Sequence, residues 1–390
     1  MSWDFRQIRD EDDQFVAHVA LSALGFIVIK SHSQMPEVHR PQSRDDFHVA
    51  IVCALPLEAR AIAFVVDEWW DENGDQFGKV KGDQNTYRTC RIGHINVVLV
   101  VLPQAGRTEA ASTAMSLGLS YSQLNLIILA GICGGVPGGA SGQDEIILGD
   151  VIIATEVLQF DVGRQYQGHF ETKRAVQDQP GRARRQVRSL IATLQSESED
   201  FLNRVLRISS DLQQAIRRRN HTLFADPGPH ADKLFKSTYI HQHQGQISCV
   251  CTTGSMSCFF TDSMSCDELG CEAHYLLPRK RLARLVIGIN RHRIFFGRIA
   301  CADTVMRSGQ DRDAIAERER VIAFEMESVG IWDQNSCLVV KGVSDYADSH
   351  KSKQWQPFAA LMAASAVKAI LLRYTQTDSS AGIIKPKSEG

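Results

Sequence analysis

The chain has 390 residues, 44% hydrophobic and 23% charged, with a formal net charge of −2 and a pI near 6.7. That is an ordinary globular composition with length enough for a large core. The near-neutral balance argues against a general nucleic-acid-binding surface or a polybasic membrane anchor.

The first residues, MSWDFRQIRDEDDQ, are acidic, so a secretory signal is not expected. The apolar run Phe15–Ile29 spans 15 residues and contains His18, too short for a confident membrane span. Residues 1–45 therefore read as an N-terminal extension. No membrane or nucleic-acid partner is expected.

From Asp46 the chain alternates. FHVAIVC (47–53) reads as a strand, and PLEARAIAFVVDEWW (56–70) has the helical spacing of Leu57, Ala61, Phe64 and Val65. INVVLVVLP is a second strand and RTEAASTAMSLGLSY a small-residue helix. LNLIILAG and GDVIIATEVLQF are further strands. Later come RIFFGRIAC, RVIAFEME and CLVVKGVSD, and then WQPFAALMAASAVKAILLRY, read as a strongly amphipathic helix. Strands alternating with helices predict an α/β fold: a central mixed, mostly parallel sheet flanked by helices in three layers, as a single domain over residues 46–375.

Residues 175–293 interrupt that alternation. They hold polar helix candidates and a His-, Ser- and Cys-rich stretch, and they read as an insertion of the kind that forms lids or binding loops. The basic clusters 182–188, 217–219 and 279–284 could touch phosphate, but such runs are more often solvated faces, and they read so here. Residues 376–390 read as a disordered tail.

Of ten cysteines, Cys53, Cys90, Cys133, Cys301 and Cys337 sit singly in apolar surroundings, as buried free thiols do in a reducing, cytoplasmic setting. Cys249, Cys251, Cys258, Cys266 and Cys271 cluster. Their joint spacing matches no standard zinc pattern, so a thiol-rich loop is expected and no metal is assigned.

Four segments stand at the carboxyl ends of predicted strands, where open α/β sheets bind ligands. In CALPLEA, Glu58 falls in a first helical turn, and its plain role is to complement the helix dipole. In AGICGGVPGG, glycines follow a strand in a turn that admits close backbone approach, but G-x-G-x-x-G and G-K-[ST] are both absent. In AFEMES, an extended chain would point Glu325 and Glu327 to one face and Met326 to the other. In GVSDYAD, Asp345 is either a turn residue or a partly buried acid with a raised pKa.

Together with NTYRTCRIG, LGDVIIA, GRIACADTVMRSG and the continuation DSHKSKQWQPFAA, these segments resemble the nucleoside phosphorylase superfamily of purine and uridine type. The resemblance runs from about Asp46 to Tyr374 outside the insertion. It is strongest to the methylthioadenosine/adenosylhomocysteine nucleosidase branch in its fungal form, often fused to nucleotide-binding and repeat modules. The resemblance implies a purine N-glycosidase with no cofactor, acting on a nucleoside or a nucleotide such as ATP, and self-associating as a homo-oligomer.

It also implies roles. Asp345 would be the acid near purine N7, kept neutral by an apolar site, with Ser344 as its hydrogen-bond partner. Glu58 would activate water. Glu327 would clasp the ribose, with Glu325 beside it and Met326 against the sugar. Ile132, Cys133 and Gly134 would line the base and sugar pocket, Trp355 would stand near the base, and Val305 occupies a position that often supplies an aromatic. Phosphorolytic relatives carry an Arg before the glycine turn and a Ser or Thr within it. Here Leu129 and Ala130 precede it and Ile132 replaces the hydroxyl, which favours water as the nucleophile. Arg107 is the main objection, as a phosphate contact. Arg164, Lys173 and Arg174 are the cations that a 5′ phosphate would need. A phosphorylase, or a purine-binding sensor without turnover, are the competing readings. A third is an interaction module supported by zinc within Cys249–Cys271.

Overall fold

A computed structural model describes residues 40–139, 145–218, 222–243, 261, 264–283, 292–332 and 336–375. The expectations for Phe15–Ile29, for Cys249, Cys251 and Cys258, and for the tail 376–390 fall outside these residues.

The elements run in the order β1 (Val49–Cys53), α1 (Pro56–Ala63), β2 (Glu68–Trp69), β3 (Tyr87–Ile92), β4 (Ile95–Val101), α2 (Arg107–Ser120), β5 (Leu126–Gly135) and β6 (Val151–Gln159). A ribbon of β7 (Gly163–Tyr166) and β8 (His169–Thr172) follows, then α3 (Arg185–Ser196), α4 (Ser198–Arg218), α5 (Cys266–Leu269) and α6 (Lys280–Ala283). The chain closes with β9 (Ile294–Cys301), α7 (Gly309–Glu319), β10 (Val321–Glu325), α8 (Ser328–Trp332), β11 (Cys337–Asp345) and α9 (Gln356–Leu371).

Nine strands form one mixed sheet in the order β10-β9-β6-β11-β5-β1-β4-β3-β2. β1 runs parallel to β4 and β5, β11 parallel to β5, and β9 parallel to β6 and β10. β10 also pairs antiparallel with β5 at Phe324↔Gly134 and Ala323↔Gly135. That extra pairing closes β10, β9, β6, β11 and β5 into a ring. It brings the carboxyl ends of β5, β10 and β11 to one place, which positions the site.

The central strands are buried along their whole length, as expected of strands covered on both faces. On β11, Gly342 lies against the backbone of Ala359 in α9, while its neighbour Lys341 reaches Glu327 before α8. Successive side chains leave a strand on opposite faces, so α9 and the Glu327–α8 segment cover opposite sides. The mixed sheet flanked by helices is the fold class that the sequence predicts.

Several elements depart from expectation. α1 ends at Ala63, because the chain turns there to enter β2, which pairs antiparallel with β3. The glycine segment turns only at Pro137–Gly138: β5 continues through Gly135, since Gly134 and Gly135 have β10 as a partner. α9 is not amphipathic. Fourteen of its 16 residues are buried, because it lies between the sheet, α1 and α4. Its six alanines let these neighbours approach closely.

α4 buries the stripe Phe201, Val205, Ser209, Gln213 and Ile216, the spacing of one helical face, and packs on α9. Its polar residues face outward, which is why the sequence looks like a surface helix. Within the 279–284 cluster, Arg279 and Arg281 are held against the protein. Arg279 is 7% exposed, donates to the Ile146 carbonyl and lies 4.8 Å over the Tyr346 ring. Arg281 donates to both carboxylate oxygens of Asp150, at 2.6 and 3.0 Å. No helix among the described residues is long and apolar enough to cross a membrane.

Candidate active site

A cleft of about 170 Å³ opens where β5, β10 and β11 end. Ten of the residues singled out in the sequence line it: Glu58, Ile132, Cys133, Gly134, Val305, Glu325, Met326, Glu327, Ser344 and Asp345. From Glu58 to Asp345 they span 287 residues of sequence, and the ring of strands is what gathers them.

Glu58 sits in the first turn of α1, 3% exposed. Oε2 accepts from the Ala54 and Leu55 N–H groups at 2.8 and 2.9 Å, and Oε1 from the Ile132 N–H at 2.8 Å. The carboxylate therefore bridges the end of β1 to β5. It lies so close to β5 that a Cβ on Gly131 would overlap it. Burial pushes its pKa up. Lys341 opposes that shift and Glu327 adds to it.

Asp345 ends β11 and is 4% exposed. Oδ1 accepts from the Ala347 N–H at 3.0 Å and Oδ2 from the Ser344 hydroxyl at 2.8 Å. Lys351 Nζ stands 3.2 Å from Oδ2. The apolar surrounding expected for this acid is thus corrected: the loop after β11 folds back and delivers a cation and an N–H. A Cβ on Gly134 would come within 2.8 Å of Ala347 Cβ and 2.9 Å of Asp345 Oδ1. Ala347 holds φ +51°, a conformation uncommon for a residue with a Cβ, directly beside this acid.

The E-M-E segment does not alternate as a strand, because β10 stops at Glu325 and α8 starts at Ser328. Glu325 accepts from Ser328 N–H and hydroxyl and from Glu327 N–H, so it caps the start of α8. Burial raises its pKa, with Lys341 lowering and Glu327 raising it further. Glu327 accepts from Lys341 Nζ through Oε2 at 3.0 Å. Lys341 is 1% exposed. Burial alone would pull its pKa down, but Glu327, Glu325 and Glu58 together hold it well above the usual lysine value. One buried cation thus faces three acids.

Three expected site residues lie elsewhere. Trp355 is 1% exposed, donates Nε1 to the Ala231 carbonyl at 3.1 Å and packs edge-on against Phe358. Its bulk is better accommodated in the core, and the neighbouring Gln356 lines the cleft instead. Arg107 donates to both oxygens of Asp161 at 2.8 Å and to Asp303 Oδ2 at 2.8 and 3.0 Å. This guanidinium already has two carboxylate partners. Arg164 is exposed on β7. Of its companions, Arg174 pairs with Glu319 at 2.7 Å, and Lys173 stands 3.9 Å from Asp178. No arginine is among the described residues lining the cleft.

Sequence reasoning missed Lys341, Lys351, Thr304, Met306 and Gln356 as neighbours of the site. Lys341 had a signal: it is the one charge inside the apolar run CLVVKGV, and a charge within a fully buried strand needs partners.

Residues 48–209 match the family model of the phosphorylase superfamily. A nucleotide-binding leucine-rich repeat (NLR)-like protein of Hyaloscypha variabilis is 28% identical over 348 residues, 87% of this chain. The match covers 31% of that protein, so this chain spans about a third of its length. Among solved structures, the 5′-methylthioadenosine/S-adenosylhomocysteine nucleosidase of Streptococcus pneumoniae shows 18% identity and a TM-score of 0.48, over 84% of this chain and 99% of that one. The futalosine hydrolase of Helicobacter pylori shows 13% and 0.46, over 83% and 97%. Residues 48–209 thus resemble the phosphorylase superfamily, the resemblance that the sequence motifs carry.

Proposed function

We propose that this protein hydrolyses the N-glycosidic bond of purine nucleosides. The observation that carries this is that Glu58 and Asp345 line one cleft, each seated against β5 at a glycine that leaves room for it. One acid serves the water and the other the departing base.

In this reading the C1′–N9 bond breaks with its electron pair leaving on the base. Asp345 supplies a proton at purine N7, and Lys351, 3.2 Å away, stands where it returns one. The cation-like sugar is held by Glu327, whose Oε2 is fixed by Lys341 while Oε1 accepts the sugar hydroxyls. Glu58 takes a proton from water as its oxygen bonds C1′. A base must be ionised to act, and burial raises the pKa of Glu58, so the rate climbs as pH rises through a value above the usual glutamate range. Met326, Val305 and Phe324 supply apolar walls for a flat ligand.

Water is favoured over phosphate because Ile132 stands where phosphorolytic relatives need a hydroxyl, and because Arg107 is held by Asp161 and Asp303. Arg174 is likewise paired, which favours a nucleoside over a 5′-triphosphate.

The test is chromatography of adenosine, inosine, guanosine, methylthioadenosine and ATP incubated with the protein, with and without phosphate. Free base from a nucleoside in phosphate-free buffer is expected. Release only with phosphate would make the protein a phosphorylase. Purine binding by calorimetry without any product would make it a sensor.

A further inference from the structure

Away from the cleft, the 175–293 region and the loop after β11 bring together His241, Cys266, Cys271 and His350. The four ligand atoms lie within 4.8 Å of one another. His241 Nδ1 is 3.8 Å from Cys266 Sγ and 3.4 Å from Cys271 Sγ. His350 Nδ1 is 3.6 Å and 3.9 Å from the same two sulfurs. A tetrahedral zinc ion with Zn–S of about 2.3 Å and Zn–N of about 2.0–2.1 Å requires N···S edges of about 3.6 Å. The observed separations bracket that value.

The second shell points the same way. His241 Nε2 lies 3.0 Å from the Met264 carbonyl and His350 Nε2 lies 3.1 Å from the Tyr239 carbonyl. A carbonyl only accepts, so each Nε2 carries the hydrogen, and each neutral ring turns the lone pair of Nδ1 toward the sulfurs. Metal-ligating histidines are commonly held in this way. The His350 ring is further fixed by stacking on Phe235, with centroids 4.0 Å apart. Two thiol hydrogens can satisfy only two of the four N···S contacts, whereas a cation satisfies all four.

We propose that His241, Cys266, Cys271 and His350 form a structural zinc site that pins the segments bearing His241, Cys266 and Cys271 to the loop after β11, which carries Lys351. Binding releases the two thiol protons to solvent, and two thiolates neutralise the dication, which suits a partly buried position. Four protein ligands close the coordination shell, so the ion has a structural role and no open position for chemistry. The same two segments are joined by His241 N–H donating to the Ser349 hydroxyl at 3.0 Å. The site is independent of the reaction assigned to the cleft.

The test is elemental analysis of the full chain, produced with zinc present and desalted without chelator. About one zinc ion per chain is expected. Cobalt(II) exchanged into the site should give the intense visible bands of a tetrahedral thiolate complex. Cys266→Ser with Cys271→Ser should cut the zinc content at least about tenfold. Replacing Cys249, Cys251 and Cys258 together by Ser should leave it unchanged. Native protein that takes up no zinc, or whose Cys266 and Cys271 form a disulfide, overturns the proposal. So does zinc kept by the double variant or lost by the triple one. The measurements on the native chain decide the matter even where a variant does not fold.

Discussion

The cleft and the brace behind it are both built from charged residues, yet they are built differently. In the cleft, Glu58, Glu325, Glu327 and Asp345 each end or follow a strand or open a helix, and backbone N–H groups hold three of them in place. In the brace, Asp232 accepts from the Tyr346 hydroxyl at 2.6 Å and from the Leu148 N–H at 3.1 Å, and Arg279 stacks on Tyr346. Arg312 donates to the Tyr346 carbonyl at 2.8 Å. The cleft takes its precision from secondary structure, and the brace takes it from side chains meeting across long stretches of chain. The reacting groups therefore sit at strand ends and in a first helical turn, while the loop after β11, which bears Lys351, depends on the braced part.

That contrast can be broken or sharpened by substitution. Asp345→Asn keeps the shape of the side chain and removes the proton donor, so base release should fall by about 10²–10⁴ in a protein that still folds. Normal turnover would remove Asp345 from the reaction. Lys341→Met strips three buried acids of their cation and should cost about 3–5 kcal/mol in denaturant unfolding. A loss near zero would mean that the acids are protonated together in the native protein.

Gly131→Ala places a methyl group against Glu58 and tests whether glycine serves the carboxylate. About 1–3 kcal/mol of stability should be lost, together with activity. Since burial raises the pKa of Glu58, its protonated form is favoured in the folded state. The stability this contributes is present at low pH and is lost as pH rises through the folded value. Activity should rise over the same window, and Glu58→Gln should abolish that limb of the pH–rate profile. Tyr346→Phe touches only the brace. It leaves Asp232 without its hydroxyl donor, and about 1–3 kcal/mol of stability should be lost. Turnover in the folded protein should change less than for any cleft variant.

Much of the cleft was legible because its residues lie in short motifs at strand ends. CALPLEA, AFEMES and GVSDYAD each carry an acid next to a strong local signal, and the structure places all of them on one cavity. The aromatic was misplaced because sequence shows a tryptophan's position in a motif but not which way the chain turns: at residues 355 and 356 the next side chain faces the cleft. The buried helix α9 looked amphipathic because its alanines carry little signal of their own, and only its neighbours show that it has no outer face. Arg107 read as a phosphate ligand until Asp161 and Asp303, 54 and 196 residues away, met it.

By itself the sequence determined the alternation of strands and helices, the mixed sheet and the places where acids follow strands. Periods of 2 and 3.6 residues are local and survive without knowledge of the neighbours. Only the tertiary structure decided that one lysine faces three acids, that two glycines make room for carboxylates, and that His241 and His350 meet Cys266 and Cys271. Those pairings join segments 14 to 283 residues apart, as between Lys341 and Glu327 or between Lys341 and Glu58. Their geometry is set by strand order and packing, which no local pattern encodes.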